Sequence, residues 1–277
     1  MQIFELLDYA FFRNALWGSL LASIACGIIG TYIVIRRLVF ISGGITHASL
    51  GGLGIGFYFG FNPIVSAMIF SVMSAFGIEW LSSKQGVRED SAIASFWSLG
   101  MAVGIIFIFL KPGYAPNLTD YLFGNILTIA NSDILYLGIL SFILVALFAL
   151  FHRQILYIAF DADFAKTRGI AVRRFEYLMM CCIAISIVLS IRLVGVVLLM
   201  SLLTIPQMTA NIFTSNFRKM IFLSIAVSFF CCVSGLILSY YLNVPSGAFI
   251  ILLMTVLFGF CKWIGAKKMS IGFSKVS

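Results

Sequence analysis

Residues 39–60 read VFISGGITHASLGGLGIGFYFG, a run with no charged side chain and one titratable ring, His47. At about 1.5 Å per residue such a run crosses the roughly 30 Å hydrocarbon core of a bilayer as one helix. Polar side chains at that depth are costly, so they usually face a cavity or a substrate path, and a neutral imidazole is a common metal ligand. Gly44, Ala48, Gly52, Gly56 and Gly60 recur every four residues, a small-residue face that lets a neighbouring helix approach closely. Gly43, His47 and Gly51 form the adjacent stripe, and Ser42, Thr46 and Ser49 the next. His47 therefore stands between a packing face and a hydroxyl face, or is simply an interior histidine hydrogen-bonded across helices.

The rest of the chain has the same character. Hydrophobic residues make up 62% of the 277 positions and charged residues 10%, with a mean hydropathy of +1.10. That composition excludes a water-soluble globule and predicts an all-α polytopic membrane protein. Spans are expected near 14–35, 39–60, 62–82, 91–110, 133–151, 176–194, 196–214, 220–242 and 246–264. The weakest division is at Arg192 and Gly195, where two apolar runs adjoin without a loop, so the count is eight or nine.

Short cytoplasmic loops retain positive charge. If the first span exits inward at Arg36 and Arg37, then 15 of the 18 basic residues fall on that side, all but Arg13, Lys111 and Arg192. With nine spans the N-terminus is outside and the C-terminus inside. The net charge of +8 then follows from topology and from anionic lipid at the cytoplasmic face, with no nucleic acid invoked. Glu5 and Asp8 precede the first arginine, unlike a cleavable signal peptide, so the first span is expected to be retained. All six cysteines lie in or beside apolar segments, which argues for packing over a disulfide framework.

Two loops stand out. The outward one, 111–132, contains Pro112, Pro116 and the polar-aromatic run from Asp120 to Asn125, either an aromatic belt with a turn or a rim for a partner protein. The inward one, 160–175, reads FDADFAKTRGIAVRRF. Asp161 suits a helix N-cap and Gly169 the position just past the C-cap, with Phe160 and Phe164 four apart. A short capped helix of this kind is either a docking element or a connector lying on lipid headgroups. No phosphate-binding loop, His-Glu-x-x-His pair or nucleophile elbow occurs, so nucleotide-driven work would need a separate chain.

In the seventh span Ser201, Thr204, Gln207 and Asn211 form a polar stripe interrupted by Pro206, which is either a plain kink or the border of a cavity. With Ser42, Thr46, His47 and Ser49, the residues Ser201, Thr204 and Gln207 are the candidates for lining a translocation path. Glu79, Glu89 and Asp90 are expected at the interface, available to pair with Arg88 or with a docking partner.

Several segments in order carry a resemblance: Arg36-Arg37 followed by Ile41 to Ala48, Arg88 to Ile93, Tyr121 to Leu127, Phe160-Asp161 with Phe164-Ala165 and Gly169, Val194 to Val196 through Pro206 and Thr209-Ala210, and Leu238 to Tyr241 with Pro245 to Gly247. Together they resemble the integral-membrane permease family of ABC transporters for zinc, manganese or iron, over nearly the whole chain. The resemblance implies one permease domain over 1–277, with a cytoplasmic coupling segment near 160–175 and a tail near 265–277. It also implies a homodimer in a bacterial cytoplasmic membrane, a pair of cytoplasmic ATPase subunits that use ATP, and an extracytoplasmic metal-binding protein. A divalent metal ion would be cargo, not a resident cofactor. Coupling would fall to Phe160, Asp161, Phe164, Ala165, Lys166 and Gly169, and His47 would be the metal ligand. The family pattern has an aspartate four residues before that histidine. Here the position is Gly43, which weakens any transfer of a manganese-type site. The main rival is a secondary transporter in which Glu79, Asp90 or His47 carries protons. A membrane hydrolase using His47 with Ser42 or Ser49 lacks a third group.

Overall fold

The computed structural model describes residues 9–112 and 129–273. Among them are eleven helices and no strand: α1 Ala10–Ile35, α2 Val39–Phe59, α3 Pro63–Gln85, α4 Glu89–Leu110, α5 Asn131–Leu150, α6 His152–Phe160, α7 Ala162–Thr167, α8 Val172–Leu202, α9 Ile205–Phe213, α10 Phe217–Leu242 and α11 Ser246–Phe273. Nine segments of the described residues are long and apolar enough to cross a membrane, with 172–191 and 193–213 counting separately. The boundaries fall within a few residues of those expected from sequence. At the C-terminal end α11 runs on to Phe273, so most of the expected tail continues the last helix. The run from Tyr121 to Leu127 lies outside the described residues.

Gly195 explains the ambiguous division between the sixth and seventh spans. Its φ of 75° and ψ of 168° break α8, a conformation glycine adopts without a Cβ clash. The chain turns back there. Glu176 lies beside Arg36 at one end of the bundle, Val188 and Ile191 flank Asn62 and Pro63 at the other, and Leu203 has returned to Gly30. Leu193, Val194 and Val196 are buried around this reversal. Irregular backbone among spans is tolerated where protein covers it.

The helices α1 and α2 are the most enclosed, and α11 is the least. Where α2 meets its neighbours, the small residues divide between two partners instead of forming one face. Gly51 and Gly54 lie against the backbone of Gly100 and Gly104 on α4, while Gly52 and Gly56 lie against Pro63, Ser66 and Ala67 on α3. A Cβ at these positions would run into main chain, which no rotamer change relieves. Gly60 takes no part in packing. With a φ of 75° it ends α2, and Asn62 caps α3 by accepting from the amides of Ile64 and Val65.

Candidate translocation site and coupling element

One turn apart on α2, Gly43 and His47 face two other helices. The half-buried His47 ring stacks on Trp97 of α4, centroids 4.2 Å apart and planes within 8°. Stacking occupies the ring faces and leaves the nitrogens in the edge, and among the described residues neither nitrogen has a hydrogen-bond partner. A carbon placed on Gly43 would lie 2.8 Å from Met200 Cε, 3.9 Å from Met200 Sδ and 3.7 Å from Trp97 Cζ3. The returning arm of α8 thus brings the methyl end of Met200 into the gap that glycine leaves one turn before His47. Sequence reasoning missed Trp97 and Met200, since in an apolar span neither differs from packing residues by type or spacing.

The hydroxyl candidates are turned into their own helices. Ser42, Thr46 and Ser49 are buried; Ser42 donates to Val39 O at 2.7 Å, Thr46 to Ser42 O at 2.6 Å and Ser49 to Thr46 O at 2.6 Å. Thr204 donates to Met200 O at 2.8 Å, and Ser201 to Val197 O at 3.3 Å. The expected polar stripe is interrupted, because α8 ends at Leu202 and α9 restarts at Ile205 with Pro206 in its first turn. Past that break, the fully buried Gln207 donates through Nε2 to Cys26 O at 2.9 Å and to Leu202 O at 3.0 Å. Gln207 therefore pins the broken helix to α1 and satisfies a carbonyl that the break frees. Among the described residues no three His, Cys, Asp or Glu side chains converge as a metal group.

The coupling candidates form α7 and its flanks. Asp161 caps α7, its Oδ1 accepting from Asp163 N at 3.0 Å and Phe164 N at 2.9 Å. At the other end Gly169, φ 73°, donates to Lys166 O and Ile170 donates to Ala165 O, a Schellman closure. Ala165 faces inward, packed with Ile158 and Val172. Phe160 and Phe164 are 61% and 42% exposed, and Phe164 meets Tyr157 edge-on and carries Arg168 over its ring. Lys166 donates to Asp163 at 2.8 Å, which holds the Asp163 carboxyl below its ordinary pKa and raises that of Lys166. Both groups are fully exposed, so the pair orders the helix surface more than it stabilises the fold.

Arg36, at the end of α1, ties both flanks of α7. It donates to Ile158 O before it at 3.2 Å and to Glu176 after it at 2.8 Å, in a polar cavity of about 200 Å³ that Tyr32, Glu79 and Glu89 also line. Glu89 and Asp90 are exposed at the start of α4, and Asp90 lies 4.0 Å from Arg88.

The chain is thus a multi-pass helical bundle with an imidazole stacked among its spans and a capped helix with exposed aromatics between two of them. The family profile for the ABC 3 transport family matches residues 8–264. The chain belongs to that family. An uncharacterized membrane protein of Synechocystis is 39% identical over 91% of this chain and 90% of its own length. A protein of Listeria monocytogenes named manganese transport system membrane protein MntC is 33% identical over 98% and 96%. The solved structure of PsaBC from Streptococcus pneumoniae in complex with Fab matches with a TM-score of 0.84 at 29% identity, covering 94% of this chain and 95% of that one.

Proposed function

We infer that this chain is the permease subunit of an ABC importer that carries a divalent transition metal ion across a bacterial cytoplasmic membrane. Family membership and the names of the relatives support the metal class. Two copies share one pathway, with His47 of each contributing to it. A pair of ATPase subunits docks on the face bearing α7, and a metal-binding protein delivers cargo to the opposite face. The basic loops make the α7 face cytoplasmic, with the N-terminus outside and the C-terminus inside.

The observation that carries the mechanism is Arg36. Its guanidinium holds Ile158 and Glu176, one on each side of α7, and stands at the corner leading into α2. A push on Phe160 and Phe164 therefore reaches the helix that bears His47 through a charge-assisted link instead of a flexible loop. ATP is hydrolysed on the partner subunits, and this chain supplies the path and the lever.

Reconstituting the chain with its ATPase and binding protein in vesicles tests the reading. Metal should accumulate only with ATP on the α7 side. Phe164→Asp should lower transport about tenfold while the ATPase still turns over, the effect of losing one interfacial aromatic anchor. Vectorial metal movement driven by an ion gradient without ATPase subunits would replace this reading with a secondary transporter.

A further inference from the structure

We propose that Met200 is a specificity-determining ligand, its thioether standing beside His47 where Gly43 leaves room, so that the site takes borderline-soft cations of the zinc and cadmium kind in preference to manganese. This rests on the reading of His47 as a metal ligand and adds the second donor.

Met200 Cε and Sδ lie 2.8 and 3.9 Å from where a carbon on Gly43 would stand, and Trp97 Cζ3 lies 3.7 Å from the same point. Trp97 stacks on His47 at 4.2 Å, so one indole reaches both the His47 ring and the point beside Gly43 that Met200 approaches. Any side chain at position 43 would require the Met200 methyl to move aside. Glycine and methionine are thus a matched pair: the first admits the methyl end of the second, and the donor standing behind that methyl is sulfur instead of oxygen. Both His47 nitrogens lack hydrogen bonds among the described residues, so ligation breaks none.

Thioether and imidazole are uncharged donors. A hard ion such as manganese(II) draws most of its binding from charge and oxygen, which this pair does not supply, whereas zinc and cadmium gain from the more covalent sulfur bond. Among the described residues no three His, Cys, Asp or Glu side chains gather around His47. The Trp97 face adds a modest cation–π attraction that does not distinguish ions by hardness. Two copies sharing a pathway would bring the set to two imidazoles and two thioethers, a usual number of donors for zinc.

The test uses the full chain co-purified with its ATPase pair in nanodiscs, titrated with cadmium and with manganese, on wild type, Met200→Leu and His47→Ala. Leucine nearly conserves the volume of methionine, so the fold is kept. The cadmium-over-manganese preference should fall by about tenfold or more in Met200→Leu, since even outer-shell groups of a metal site are worth about 10–100-fold. Selenomethionine labelling gives an independent reading: cadmium-edge absorption should show a selenium neighbour that vanishes in Met200→Leu. An unchanged preference with no selenium neighbour overturns the role of Met200. If His47→Ala also binds both ions as wild type does, the reading of His47 fails with it. Loss of binding in His47→Ala alone leaves that reading standing without Met200.

Discussion

Gly54 shows how a single missing side chain organises the site. Its Cα faces the backbone of Gly104, and Gly104 faces that of Leu50 in turn, so α2 and α4 touch main chain to main chain. That contact lies about two turns along the same pair of helices from the place where Trp97 meets His47. Gly54→Leu should destabilise the fold by about 1–3 kcal/mol through overpacking. Gly259→Ala, at a position open for 4 Å around, should leave the thermal midpoint nearly unchanged. Equal shifts in the two variants would show that the close approach is not what matters. Gln207 carries the opposite lesson. By spacing it belongs with Ser201 and Thr204, but the break between Leu202 and Ile205 resets the direction of everything after it, and the amide turns to Cys26. Periodicity extrapolated through Pro206 had no means of registering that rotation.

Among the elements, α7 was the most legible in advance. Asp161 and Gly169 mark its ends by chemistry that acts locally, and both ends formed as their residue types dictate. What spacing could not supply is the division of labour within it: Ala165 is the buried foot and Phe164 the exposed contact. Nor did it point to Arg36, whose partners lie 122 and 140 positions away in sequence. Arg36→Ala should weaken the link by about 1–2 kcal/mol, as for one partly exposed charge-assisted bond. Metal moved per ATP consumed should drop, while Arg37→Gln, at an exposed side chain, leaves that ratio alone. A wild-type ratio in Arg36→Ala would remove the lever from the mechanism. At the nearby end of α10, Arg218 donates to His152 at 2.9 Å, and burial together with Arg218 and Arg153 depresses the imidazole pKa. Because the folded form then resists protonation, its contribution to stability holds above the ordinary histidine pKa of about 6.5 and is lost as pH falls below it.

At the level of the whole molecule, hydropathy alone located the spans, since length and apolarity are demanded of each segment separately. It could not tell which side of a span meets protein. Core and lipid are both apolar, so Trp97 and Met200 look like residues such as Phe109 and Phe142, which are 80% and 75% exposed. The buried reversal at Gly195 has a consequence for how the chain is made. With no hydrophilic stretch between 172–191 and 193–213, the insertion machinery meets no pause signal between the two arms. That continuity predicts release of the two arms into lipid together. As a test segment in a reporter of membrane insertion, 172–213 should integrate as one unit, and 172–191 alone should integrate less completely.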